Sequence, residues 1–253
     1  MLTQLIAGRV YDFSHAVGRW GAGAPGFSCP IKPVVGEGDT VYVLCRGYEI
    51  VPVAAWNKIA VGVKISKVSI GMTPGDEELQ KEIGRYGDSP GDLIWPAGIA
   101  LDSSENMYIT DEWMNRITVL DSDGNLQCTW GSSGIDDGQL NGPSGIAFDP
   151  NDDVYIVDSM NHRIQKFTKD GRYLGKFSSY GNEPGQLDSP WGIDVDKDGF
   201  IYVADHKNNR IQKFDPDLNF IAKWGIVGKD PGQFYNPAGI CLSWEPDWAP
   251  QEE

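Results

Sequence analysis

Histidine and cysteine are scarce in this chain of 253 residues. There are three histidines, His15, His162 and His206, and four scattered cysteines, Cys29, Cys45, Cys128 and Cys241, with no C-x-x-C pair. Zinc sites need Cys and His at short, clustered spacings, so neither a resident metal nor a disulfide framework is expected. Basic charge is also in the minority: 21 Lys and Arg stand against 36 Asp and Glu, a formal net charge of −15. Such a field repels phosphate backbones, which argues against nucleic acid as a partner and favours a basic partner or a cation. No run approaches the ~18 apolar residues of a membrane span. The first residues, Met1 to Arg9, lack a basic stretch followed by a long apolar core. Neither a membrane segment nor a signal peptide is therefore expected, and a reducing cytoplasm is the expected location.

Aromatic residues, glycine and proline, by contrast, are plentiful: nine Trp, ten Tyr, nine Phe, 31 Gly and 16 Pro. That mixture suits a packed core in a chain that turns often. The glycines and prolines recur in register. Pro96-Ala-Gly-Ile-Ala, Pro143-Ser-Gly-Ile-Ala, Pro190-Trp-Gly-Ile-Asp and Pro237-Ala-Gly-Ile-Cys begin at a constant spacing of 47 residues. Within that period Met107-Tyr-Ile-Thr-Asp111 returns as Val154-Tyr-Ile-Val-Asp158 and Ile201-Tyr-Val-Ala-Asp205. Asn115-Arg116-Ile117 likewise returns as His162-Arg163-Ile164 and Asn209-Arg210-Ile211. A fixed period of about 40–50 residues signals a solenoid, a propeller or an array.

Each period holds four short runs rich in Val, Ile, Tyr and Phe, bounded by Asp, Asn, Gly and Pro. In the copy at 143–189 they fall at 145–149, 153–157, 163–167 and 173–177. Four such strands form an antiparallel unit, and radial repetition of that unit makes a β-propeller blade. The whole chain, 1–253, is expected to be one such all-β domain. Regular blades span 96–142, 143–189 and 190–236. A looser copy at 30–95 has Cys45 where the others have Asp, and a 19-residue insertion at 46–64 that is either a functional loop or an extended hairpin. Segments 8–13 and 16–21 look like the outer strands of a preceding blade, residues 1–29. The stretch 237–253 supplies only the first strand of a last one. Five blades are visible when these two partial ends count as one, which suits either a five-bladed ring with an incomplete closing blade or a C-terminally truncated six-bladed one.

The string Pro-x-Gly-Ile-Ala, then Ile-Tyr-Val-x-Asp, then Asn-x-Arg-Ile-Gln-Lys-Phe, then Gly-Gln-Phe resembles the NHL-repeat family, closely over 96–243 and loosely over 30–95. The resemblance implies a propeller, six-bladed as the family norm, but spans unrelated roles: binding modules, an amidating lyase, and gluconolactonase-like relatives. Likeness to the lyase implies metal-ligating histidines just before the repeated Gly. Ala97, Ser144, Trp191 and Ala238 stand there instead, so no cofactor is expected.

Two sets of residues stand out. Asp111 with Arg116, Asp158 with Arg163, and Asp205 with Arg210 share a spacing of five, which places both side chains at one hairpin end. Because every regular blade has the pair, a structural brace is the favoured role. Asp194, Asp196 and Asp198 before Gly199, with Asp205, match a calcium-loop spacing, but the register separates Asp205 from the others by a strand length. The second set varies between blades at the channel mouth. It comprises Glu112, Trp113, Ser144, Met160, Trp191 and His206, joined by Arg46, Tyr48, Glu49 and Trp56 of the insertion. A constant framework with a variable mouth is how a binding surface on a repeat scaffold reads, and the expected ligand is a protein, a peptide or a small organic molecule. The alternative is a hydrolase or lyase holding a divalent cation near the channel axis.

Overall fold

The computed structural model describes residues 3–6, 9–12, 19–20, 26–50, 59–71 and 76–242. The chain divides into two compact units, Met1–Gly87 and Asp88–Glu253. Among the described residues, regular structure consists of strands and single 3-10 turns, and no helix is long and apolar enough to cross a membrane.

In the first unit run β1 (Thr3–Ile6), β2 (Arg9–Asp12), β3 (Arg19–Trp20), β4 (Gly26–Phe27), β5 (Pro30–Val35), β6 (Thr40–Cys45), β7 (Tyr48–Ile50), β8 (Ile59–Val61), β9 (Lys64–Ser69) and β10 (Glu78–Ile83). Strands β5, β6, β9 and β10 form one antiparallel sheet in that order, with Tyr42, Leu44 and Ile65 fully buried. The insertion departs between the second and third strands of this sheet as the antiparallel pair β7 and β8, so it is a hairpin. Its expected last residue, Lys64, belongs instead to β9, buried and paired with Glu82 of β10. Of the segments expected as outer strands of a preceding blade, only 9–12 and 19–20 are among the described residues. Strand β2 pairs with β1, its immediate neighbour in sequence, and β3 pairs in parallel with β4. A local hairpin closes at less entropic cost than a distant pairing.

The second unit contains β11 (Pro96–Leu101), β12 (Met107–Asp111), β13 (Arg116–Leu120), β14 (Leu126–Trp130), β15 (Pro143–Phe148), β16 (Val154–Asp158), β17 (Arg163–Phe167), β18 (Tyr173–Phe177), β19 (Ile193–Val195), β20 (Ile201–Asp205), β21 (Arg210–Phe214) and β22 (Phe220–Trp224). They make three antiparallel sheets, β11 to β14, β15 to β18 and β19 to β22, each in sequence order. With the sheet of the first unit, four complete four-stranded blades are present among the described residues, in the four whole copies that the sequence marks at 30–95, 96–142, 143–189 and 190–236. The chain is an all-β propeller of antiparallel blades.

Apolar residues at alternate strand positions fill the seams between blades. Tyr108, Ile117 and Val119 of one blade meet Ile146, Val154 and Ile156 of the next. Tyr155, Val157 and Ile164 meet Ile193, Ile201 and Val203 in the same way. The invariant glycine of Pro-x-Gly-Ile has a reason in these seams. A Cβ at Gly98 would lie 2.4 Å from the Ser144 carbonyl oxygen, one at Gly145 2.5 Å from that of Trp191, and one at Gly192 2.6 Å from that of Ala238. Real Cβ atoms do not approach so closely, so the inner strands can lie side by side only where this residue has no side chain. Residues 237–242 are assigned no strand, yet the Leu242 N–H donates to Asp194 Oδ2 at 2.8 Å, and Ala238 packs on Gly192. That stretch follows the course of a next inner strand without its sheet. Gly239, the fourth copy, has nothing near its Cβ position.

Candidate functional site

At one end of the second unit, the turn between the second and third strands of each blade meets the loops that link neighbouring blades. Asn115, His162 and Asn209 end these turns in the left-handed region, at φ 51°, 54° and 55°. Each reaches forward across a seam. Asn115 Oδ1 accepts the Gly142 N–H at 2.7 Å, His162 Nδ1 that of Ser189 at 3.0 Å, and Asn209 Oδ1 that of Asn236 at 2.8 Å. His162 is thus part of the framework. Since a backbone N–H can only donate, its Nδ1 carries no proton.

The recurring carboxylates are framework too. Asp158 is fully buried; its Oδ2 accepts from Arg163 Nε at 2.7 Å, Asn161 Nδ2 at 2.9 Å and Gln165 Nε2 at 3.0 Å, and its Oδ1 from the Asn141 N–H. Arg163 also donates to the carbonyls of Ile135, Asp136 and Gln139, which pins the incoming loop. Asp205, Asn208, Arg210 and Gln212 repeat this arrangement on the next loop. A carboxylate so surrounded and fully buried is not open to a substrate or ion. Asp196 sits at the far end of β20 from Asp205, its Oδ1 held by the Asp198 and Phe200 N–H groups, so the calcium-loop residues are not brought together.

The expected Asp111–Arg116 pair is not formed. Asp111 instead accepts four backbone N–H groups, from Ile94, Trp95, Trp113 and Met114. Arg116 donates to the Asp88, Ser89 and Asp92 carbonyls, and its buried Nε has no partner. This blade has Met114 and Thr118 where the others have the Asn and Gln that complete the tie.

Of the variable residues, six lie on the second unit. Trp113 and Met160 stand 73% and 63% exposed at their turns, and Glu112 is half-buried with its N–H on the Trp95 carbonyl. Ser144 is a correction. It is fully buried and donates its hydroxyl to the Trp191 carbonyl at 3.0 Å, so it joins strands rather than facing a ligand. Trp191 is half-buried, with its ring centroid 5.8 Å from that of His206. His206 Nδ1 lies 3.2 Å from the Pro237 carbonyl, an acceptor only, so there Nδ1 carries the proton. In the first unit Arg46 is half-buried, Tyr48 and Glu49 lie on β7, and Trp56 falls outside the described residues.

The loops between blades add residues that the sequence reading passed over: Ile135, Tyr180, Ile226, Val227 and Tyr235, which with Trp113 and Met160 are 63–74% exposed. Their register carried the signal. Ser133, Tyr180 and Val227 are equivalent positions, as are Asn141, Asp188 and Tyr235, and neither set is constant. The loops are held in place, with Asn161 Nδ2 on the Gly134 carbonyl and Asn208 Nδ2 on that of Gly181. A rigid frame therefore presents large apolar side chains at one end. Burial raises the Tyr108 and Tyr155 hydroxyls above the ordinary tyrosine value, but these lie in the seams near the opposite end. At the exposed end Asp137 is held below the usual carboxylate range by its bond to Lys176.

The NHL repeat profile matches residues 140–167 and 187–214. No curated protein matches the chain in sequence. Among solved structures, a streptogramin B lyase aligns with TM-score 0.54 at 18% identity, over 78% of this chain and 55% of its own. The chain thus spans little more than half the length of that protein. A catalytically inactive virginiamycin B lyase from Staphylococcus aureus, solved with quinupristin, aligns with TM-score 0.53 at 15% identity, over 85% and 75% of the two chains. A Bacteroides uniformis protein described as a putative 6-phosphogluconolactonase aligns with TM-score 0.54 at 16% identity, over 83% and 60%. At these identities the likeness is one of fold.

Proposed function

We propose, since the chain belongs to the NHL-repeat β-propeller family, that it acts as a binding scaffold whose exposed apolar end takes a polypeptide partner. The carrying observation is that Trp113, Ile135, Met160, Tyr180 and Tyr235 stand on the turns and loops of that end, each more than half exposed. Apolar patches on a rigid frame mark interaction surfaces, and aromatic and Met side chains are the residue types that anchor them. Acidic groups on the same inter-blade loops, Asp136, Glu183 and Asp230, favour a partner with basic residues around its apolar anchors.

The test replaces Trp113, Met160 and Tyr235 by Ser together. Exposed substitutions alter stability by no more than about 0.5 kcal/mol, so the variant keeps its melting temperature. Polypeptides retained by the immobilised chain are then compared with those retained by the variant. A partner held at least about tenfold more weakly by the variant supports the reading; equal retention sinks it.

A second reading, a lyase or hydrolase, draws on His206. With Nδ1–H on the Pro237 carbonyl, Nε2 is left as a base beside the Trp191 ring. Among the described residues no group of three His, Cys, Asp or Glu is placed to hold a metal ion, so among those residues that reading rests on His206.

A further inference from the structure

The three forward-reaching latches differ in one chemical respect. Asn115 and Asn209 accept with an amide oxygen, which does not titrate in the physiological range, whereas His162 accepts with an imidazole nitrogen. Histidine side chains change charge at about pH 5–8. Once protonated, both ring nitrogens are donors, and Nδ1 can no longer take the Ser189 N–H. An acceptor for the new proton is already in place: Asp188 Oδ1 lies 3.4 Å from Nδ1 and is itself bonded by the Ser189 hydroxyl at 3.0 Å.

We propose that His162 is a proton-operated latch on the seam between blades 143–189 and 190–236, exchanging its Ser189 bond for an ion pair with Asp188 on protonation. The surrounding groups permit the exchange. The Tyr180 ring stands 4.7 Å away and edge-on, so it packs against the imidazole. Asp158 and Arg163, on the strands flanking the His162 turn, are bonded to each other. Asp205, which takes the Asp188 N–H, is paired with Arg210.

The consequence falls on Ser189. It holds φ 45°, a left-handed conformation that a residue with a Cβ adopts only under constraint; Gly142 and Asn236 occupy the matching positions of the other seams. Releasing the Ser189 N–H frees this residue just before Pro190 and Trp191, the entry to the third blade and to the Trp191–His206 pair. Low pH thereby loosens one seam and leaves its neighbours closed.

Amide hydrogen exchange on the whole chain tests this, with rates corrected for the intrinsic pH dependence. From pH 7.5 to 5.5 the protection of Ser189 should fall at least roughly tenfold, a factor within reach of one lost hydrogen bond. Gly142 and Asn236 should hold theirs in the same sample, an internal comparison that needs no variant. In His162→Asn, which restores an amide acceptor, the pH dependence at Ser189 should vanish. Protection at Ser189 that is flat with pH in the unaltered chain, or that falls equally at all three amides, overturns the latch. So does a pH dependence that survives His162→Asn.

Discussion

Blade 96–142 and the two that follow it, 143–189 and 190–236, carry the same Asp and Arg five residues apart but do not use them alike. In the later two, Arg163 and Arg210 each bond the Asp at 2.7 Å, and Gln165 and Gln212 reinforce the carboxylate. In the first, Asp111 is satisfied by backbone N–H groups, while Arg116 Nε and Thr118 Oγ1 are both buried without a partner. A spacing of five brings the two side chains to one end of a hairpin. The pair forms only where Asn and Gln stand around it to orient the carboxylate toward the guanidinium.

The contrast is broken most severely by removing the arginines. Arg163→Met leaves Asp158 as a buried charge without its counter-ion and should cost about 3–5 kcal/mol, the range for breaking a buried pair. Arg116→Met removes bonds to three carbonyls but strands no carboxylate, and should cost about 1–2 kcal/mol. Denaturant unfolding of the two variants measures the difference. Equal losses would mean that the Asp158–Arg163 bond adds nothing beyond the carbonyl bonds that both arginines make.

A smaller effect separates the glycines. Gly145→Ala drives a methyl group toward the Trp191 carbonyl, the Ile193 N–H and Val157 Cγ2, all within 3.0 Å of the ideal Cβ position. The inner strands must part, at about 1–3 kcal/mol. Gly239→Ala meets open space, and an unconstrained site of that kind changes stability by less than about 0.5 kcal/mol. A Gly239 variant as damaging as the Gly145 one would show that a further strand covers that residue in solution.

These contrasts also mark where the sequence was legible. The period, the blade boundaries and the strands of 143–189 were readable because seam packing demands the same residue at the same place in each copy. The glycine is the plainest case, since its neighbour is a backbone carbonyl that no sequence change can move. In 9–12 the pattern does not choose the partner strand: the segment pairs with its neighbour 3–6. Ser144 misled. Its counterparts Ala97 and Ala238 made it look variable and free, when a small hydroxyl there reaches the next strand's carbonyl. Tyr180 and Tyr235 were missed because they lie on loops whose Gly, Gln and Leu recur and draw attention from the positions between.

The mildest change sharpens the comparison by mending the irregular blade. Met114→Asn with Thr118→Gln places at Asp111 the residues that surround Asp158 and Asp205. By the 47-residue register, a Gln at 118 faces the Asp92 carbonyl and the Gly91 N–H as Gln165 faces the Gln139 carbonyl and the Gly138 N–H. It also brings a donor to Asp111 and removes the unpartnered Thr118 hydroxyl. Allowing for the work of fitting a longer side chain, the double variant should gain about 0.5–1.5 kcal/mol, the net value of one well-made bond, read as a raised denaturation midpoint. A gain without loss of partner binding would mean that the irregular tie is tolerated drift. A gain that weakens binding at Trp113, next to Met114 on the same turn, would mean that this blade has kept its tie loose so that its turn can meet a partner, which the two regular blades do not do.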